Sequence, residues 1–415
     1  MHEAQQKIKQ KSPRFASVFC PYCDPYGSKV EHLGDELGGF LDFANRALTP
    51  FDPLMDKYLG FFSPVSEFLF NFNFRFLLGL GILKEAEAPD DSPDISSKSL
   101  VVIRESHRRN IPIKMIKVLG RYTNFFSTVI NGEEFFFQGA PCYKLGEILA
   151  INADDKYKLK KILQKNNFPH AEGESFYNIK KAMAYAEKIG YPLVVKPRAS
   201  SLSKHITCNI KTKDELKEAI RIAKMISPDF VVEKFINGEV YRITLVNHKF
   251  AACCLREAPN VTGDGKSTIK ELIAEKNSDP KRGNFDQKNF GLHKILLTPL
   301  ATSLLAKQNL KFSSILKRGQ KAYLHNKVIL ACGADIHDRT DKIHQKNKLL
   351  FQEVSKLCKL PLVGFDFICQ DISLPYNKQK CAVIEANSLP SIEMHHFPTT
   401  GKSQNVAKQI FDSYL

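Results

Sequence analysis

Asp366 in GFDFICQDI, with Glu385 and Asn387 in CAVIEANSLP, are the residues whose types and spacing best suit chemistry. Residues two apart on a strand project from the same side, so Glu385 and Asn387 point together, and pairing of the two segments as a hairpin can set Asp366 beside them. Two carboxylates and an amide oxygen are the ligand chemistry of a hard cation. Mg²⁺ is commonly held by one or two carboxylates with substrate phosphates completing its shell, so the set points to a nucleotide-phosphate site more than to zinc. The competing reading, charged residues on the wet face of an edge hairpin, fits poorly with the apolar neighbours Val383, Ile384 and Ala386.

Two other constellations carry less. VTGDGKSTIKELI looks like a phosphate-binding Walker loop, yet the glycine required five positions before Gly265 is Asn260. What remains is a turn into a helix whose start, Thr268 with Glu271 three residues on, has the form of a capping box. Cys20 and Cys23 form a lone Cys-x-x-Cys with no second pair at zinc-ligand spacing, and a metal or redox role stands there beside a plain turn rich in Pro and Gly. Most of the other cysteines are scattered singly, several in apolar runs such as that of Cys369, and read as reduced core residues.

The elements that must position these residues begin at Leu100. LVVIRE reads as a buried strand and NFFSTVINGEEFFFQG as a hairpin turning on Asn131-Gly132. ADDKYKLKKILQKNN is an amphipathic helix with Leu159, Ile162 and Leu163 on one side, KKAMAYAEKIG is another, and YPLVVKP follows as a strand. ITCNI, a helix from Lys213 to Ile226, FVVEKFI, VYRITLV and FAACCLRE continue an α+β pattern whose strands are mostly adjacent. EAEAPDDSPDISSKS, Glu85 to Ser99, is acidic and punctuated by prolines and reads as a linker. Before it, Tyr58 to Leu83 is rich in Phe but holds Glu67, Arg75, Pro64 and two Asn, which argues for a buried or interfacial helix pair against a membrane span, with peripheral membrane contact left open.

The chain of 415 residues suits two or three cooperating domains, and its 60 Lys+Arg against 44 Asp+Glu give a net charge of +16. Such a balance suits anionic partners or reflects a Lys-rich background; no basic motif of a known nucleic-acid module is present. The start, MHEAQQKIKQKSPRF, lacks a secretory apolar run, so a cytoplasmic protein is expected.

In order along the chain stand DDKYKLKKIL, YPLVVKP, VVEKFINGEVYR, LREAPNVTGDGKSTIKELIAEKNSDPKRG, DRTDKIHQKN, GFDFICQDIS and VIEANSLPSIEMHHFPTTGKSQNVAKQIF. This ordered set resembles the ATP-grasp carboxylate-amine ligase family, nearest to its cyanophycin-synthetase and bifunctional glutathione-synthetase type, from about Leu100 to the C-terminus. The resemblance implies an ATP-grasp fold of two α+β subdomains clasping ATP in residues 151–415, a preceding segment in 98–150, and an N-terminal region of unknown role in 1–97.

It further implies that Lys156 and Lys196 hold the ATP phosphates. Glu233 would take the adenine amino group, and Phe235 and Ile236 would offer backbone hydrogen bonds to the ring. Arg242 and Arg256 would contact phosphate or acyl-phosphate, and Asp366, Glu385 and Asn387 would bind Mg²⁺, or Mn²⁺ in its place. The implied reaction joins a carboxylate to an amine of an amino acid or peptide, releasing ADP and phosphate, with an oligomer left open. Some positions differ from the family pattern. Ser203 and His205 stand where glycines are usual, with Lys204 between them as a further phosphate contact, and Val240 stands where an acidic ribose ligand is expected, Glu239 falling one step early. His325 and Ile329 replace an Arg and an Asn of the acyl-phosphate site. They keep a second reading in view, a nucleotide-binding regulatory module with impaired catalysis.

Overall fold

The computed structural model describes residues 79–144, 156–198 and 205–413. Lys204, Ser203, Cys20, Cys23 and the Phe-rich stretch up to residue 78 lie outside them. The described residues fall into two units, one of residues 156–161 and 171–236, the other of residues 79–144, 162–170 and 237–413.

The larger unit begins with β1 (Leu83–Glu87), α1 (Ser97–Arg108), β2 (Ile113–Val118), β3 (Arg121–Ile130), β4 (Glu133–Gln138) and β5 (Cys142–Lys144), whose strands form one sheet in the order β1-β2-β3-β4-β5. Asn131 and Gly132 turn the β3–β4 hairpin with φ of 53° and 80°, the left-handed pair that a two-residue turn demands.

Two sequence expectations are overturned here. LVVIRE is part of helix α1, with Leu100 to Ile103 all buried. A short apolar run cannot by itself separate a buried strand from a helix covered on several sides. Glu85 to Ser99 is no linker: Glu85, Ala86 and Glu87 pair with β2, Ala88 and Ile95 enter the core, and Ser97 opens α1. β1 is an edge strand, where charged side chains are usual, so its composition looked like a solvated tether.

The smaller unit is built around α2 (Lys156–Lys165), whose first residues it holds, β6 (Gly173–Phe176), α3 (Ile179–Ile189), β7 (Leu193–Pro197), β8 (Thr207–Ile210), α4 (Lys213–Ala223) and β9 (Phe230–Lys234). Its antiparallel sheet runs β6-β9-β7-β8. Ala182, Ala186, Leu216 and Ile220 of the two helices pack on Leu193, Val195, Phe230 and Val232. Thr212 and Glu215 cap α4 reciprocally.

The larger unit resumes with β10 (Glu239–Val246), β11 (Lys249–Glu257), β12 (Asn260–Thr262), α5 (Ile269–Asn277), β13 (Arg282–Gly283), β14 (Leu292–His293), α6 (Pro299–Lys307), β15 (Lys321–Tyr323), β16 (Asp335–Asp338), α7 (Gln345–Leu357), β17 (Leu362–Cys369), β18 (Cys381–Asn387), α8 (Glu393–His396) and α9 (Val406–Asp412). Its main sheet is antiparallel, in the order β16-β11-β10-β17-β18. Phe351 of α7 packs on Phe365 and Phe367, covering one face of that sheet and leaving Asp366 on the other. The α5 start is the expected capping box of Thr268 and Glu271. The eight described cysteines are free thiols, five of them buried, as a reduced core requires. No helix among the described residues is long and apolar enough to cross a membrane.

Candidate functional site

In the smaller unit, Lys156 and Lys160 lie one turn apart on α2 and are both buried. Lys196 on β7 is buried as well, and Glu233 on β9 sits opposite Val194, on the same sheet face as Lys196. The Lys196 ammonium donates to one Glu233 oxygen at 2.6 Å, and Lys160 donates to the other. Burial alone would raise the Glu233 carboxyl, but Lys196 and Lys160 outweigh it and hold it down at about 2. Burial in turn pushes the Lys160 ammonium below its ordinary value, Glu233 notwithstanding. Gly173 pairs with Glu233, and a Cβ there would come within 2.3 Å of the Glu233 Cβ, so the glycine makes room for the cluster.

These contacts change the expectation for Glu233. The residue expected to take an adenine amino group has both oxygens engaged by ammoniums. Phe235 donates its N–H to Pro192 O at 3.0 Å, so a ring contact at Phe235 must use its carbonyl. Lys160 was missed in the sequence, although its place four residues after Lys156 was a readable signal. His205, standing where glycine is usual, adopts φ of 53° itself and is anchored by Nδ1 at 2.7 Å from Ile222 O. The left-handed backbone is thus reached without glycine.

In the larger unit, strand register draws one row across all five strands of the main sheet. Asp338 faces Cys254, Cys254 faces Arg242, Arg242 faces Asp366, and Asp366 faces Glu385. Asn387 is opposite Gly364, two residues further along the same side. Arg242 Nε donates to Asp366 Oδ1 at 2.6 Å, and an Arg256 terminal nitrogen donates to Oδ2 at 2.8 Å. Burial would raise the Asp366 carboxyl, but the two guanidiniums hold it below its ordinary range. A Cβ on Gly364 would lie 2.9 Å from two Arg242 atoms, so this glycine lets the arginine lie flat over β17. Asn387 donates its amide to Gly364 O at 3.1 Å, which leaves its oxygen for another partner.

Asp366, Glu385 and Asn387 are brought together as expected of them, and Arg242 and Arg256 join the same cluster through Asp366. The all-oxygen donor set fits a hard divalent cation, with the Asp366 carboxylate shared with the arginines. Glu239 stands apart: it is exposed at the start of β10 and accepts the Tyr241 hydroxyl, on the side opposite Arg242. His325 Nδ1 accepts the Lys327 backbone N–H at 2.9 Å. Another polar knot, not foreseen from sequence, gathers Glu257, Asp335 and His337. Its carboxylates are already taken, Asp335 by Arg282 and Lys276 and Glu257 by Lys321, Tyr323 and His337, so it is a structural network.

Residues 155–243 match the family model described as carbamoyl-phosphate synthase L chain, ATP binding domain. The chain is 31% identical over 314 residues to a cyanophycin synthetase of Trichormus variabilis, across 75% of this chain and 34% of that protein. It is 30% identical over 328 residues to the glutathione biosynthesis bifunctional protein of Clostridium perfringens, across 77% of this chain and 41% of that protein. The crystal structure of a bifunctional glutathione synthetase from Pasteurella multocida matches with a TM-score of 0.60 at 25% identity, over 78% of this chain and 44% of that one. The chain thus spans about a third to two fifths of the curated relatives it matches. Ordered motifs, strand register and these likenesses agree that the chain has the ATP-grasp fold and belongs to the ATP-grasp ligase family.

Proposed function

We propose that the chain is an ATP-dependent ligase that joins a carboxylate to an amine, of an amino acid or peptide, through an acyl-phosphate. The observation that carries this reading is the row Arg242, Asp366, Glu385 with Asn387 beside it, acidic ligands and guanidiniums converging on one sheet face. The smaller unit adds Lys160 and Lys196, two buried ammoniums that share the single carboxylate of Glu233, with Lys156 buried one turn away from Lys160 on α2.

In this reading a substrate carboxylate oxygen attacks the γ-phosphorus of ATP, the bond to the bridging oxygen breaks, and ADP leaves. The amine nitrogen then attacks the acyl carbon, phosphate departs with the C–O electron pair, and the amine proton passes to solvent. Arg242 and Arg256 face the charge that develops on the acyl-phosphate, and the lysines face the nucleotide phosphates. Lys204 adds a further phosphate contact. Asp366, Glu385 and Asn387 would hold Mg²⁺, which when bound neutralises phosphate charge. Glu233 fixes the two ammoniums, and the Phe235 carbonyl and Ile236 backbone supply the ring contacts. Residues 151–415 form the catalytic part, with 98–150 as its preceding segment, and a cytoplasmic setting suits the nucleotide.

Hydroxylamine intercepts acyl-phosphates as hydroxamates. Incubation with Mg-ATP, a panel of amino acids and hydroxylamine is expected to yield a hydroxamate in step with ADP; ADP without any hydroxamate or amide would overturn the acyl-phosphate route.

A further inference from the structure

Strand register sets two cysteines directly opposite each other, Cys369 as the last residue of β17 and Cys381 as the first of β18. Both are free thiols, Cys369 buried and Cys381 partly exposed. Alternation puts Cys369 on the face of Phe365 and Phe367, which α7 covers, and a directly opposed partner shares that face. The pair therefore lies on the side away from Asp366. Opposed residues of an antiparallel pair stand about 4.5–5.5 Å apart at Cα, and a disulfide spans about 4.4–6.8 Å, so neither strand has to move for the two sulfurs to bond. No other two of the described cysteines are register partners.

We infer that Cys369 and Cys381 form an oxidation site, in which a small-molecule disulfide converts the two thiols into a bridge across β17 and β18. The reagent meets Cys381 first, because Cys369 is closed to solvent. The Cys381 thiolate attacks one sulfur of the reagent, whose S–S bond breaks and releases a thiolate. Cys369 then attacks the Cys381 sulfur, and the second reagent thiolate leaves. Two protein thiols are oxidised, the reagent is reduced to two thiols, and the protons lost by the cysteines end on them. Cys381 Sγ gives up one weak bond in the process, to Tyr376 O at 3.2 Å. Burial pushes the Cys381 thiol up to about 11, so its thiolate is scarce at neutral pH and the bridge builds under sustained oxidation.

The position of the bridge bears on the metal set. Asp366 faces Glu385 while Phe367 faces Val383, so Ile384 is an extra residue on β18. That bulge turns Glu385 to the Asp366 side, and a slip of one residue would turn it away. A bridge at Cys369 and Cys381 stands two residues beyond the bulge on each strand and pins the register on which the alignment of Asp366 with Glu385 depends.

The test incubates the full chain with hydroxyethyl disulfide in mildly alkaline buffer, followed by tryptic digestion without reduction. Cleavage after Lys378 and Lys380 parts the two cysteines into separate peptides, and exposed Cys208 reports that the reagent is active. The expected result is a linked pair of peptides joining Cys369 to Cys381, at least tenfold over any other linkage of either cysteine. The unfolding midpoint should rise as the bridge forms and return with dithiothreitol. Cys369→Ser should leave Cys381 carrying a single mercaptoethanol group, which separates loss of the bridge from loss of access. A native chain that holds mercaptoethanol on Cys381 without a bridge, an unreacted Cys381 beside a modified Cys208, or a bridge seen only in denaturant would overturn the inference. So would a bridge that leaves the unfolding midpoint unchanged.

Discussion

Asp366 is the residue on which most depends, since one carboxylate serves two guanidiniums and belongs to the candidate metal set. Replacing it by Asn leaves Arg242 buried without its counter-charge, a change expected to cost about 3–5 kcal/mol in denaturant unfolding and to abolish turnover. A loss of activity at unchanged stability would show that the pair carries no structural weight. Glu233 gives a pH signature. Its folded carboxyl stands at about 2 against an ordinary 4.5, so its contribution is present above about 4.5 and is lost as pH falls towards 2. Unfolding midpoints taken from pH 6 downward should fall more steeply in the native chain than in Glu233→Gln; parallel curves would contradict the paired state of this residue. Asp366, Glu385 and Asn387 were legible because strand alternation is a property of sequence. The pairing of Lys160 and Lys196 with Glu233 was not, because it needs the β7–β9 register and the docking of α2, which no local pattern carries.

At the scale of elements, the glycine on β17 gives the sharpest expectation. Gly364→Ala forces a methyl group against Arg242 and within 3.0 Å of Pro390 Cβ, and should cost about 1–3 kcal/mol by overpacking while lowering ADP release, since Arg242 must lift from Asp366. Wild-type stability and turnover would mean that Arg242 has slack to move. Turns and caps were the readable parts of the elements: Asn131-Gly132 and the Thr268–Glu271 box state their backbone geometry in their own chemistry. The α1 helix and the β1 edge strand were misread for opposite reasons. The first is apolar on too many sides to show a period, and the second is too charged to look ordered.

For the molecule as a whole, one core in the larger unit joins Leu100 to Ile103 of α1 and Phe126 and Phe137 of the first sheet with Val246, Ala251 and Ala252 of the main sheet and Phe411 of α9. Phe137→Ala, far along the chain from the metal set, should therefore cost about 3–5 kcal/mol and lower the unfolding midpoint of the main sheet together with its own. Separate transitions for the two sheets would contradict a shared core. The ligase assignment meets its most direct test in ADP release from Mg-ATP with pairs of amino acids or peptides, comparing the native chain with Glu385→Gln. Release should depend on both an acid and an amine, stop on chelation of divalent cations, and fall at least a hundredfold in the variant. Tight ATP binding with no ADP formed by any pair, or turnover untouched by Glu385→Gln, would contradict it.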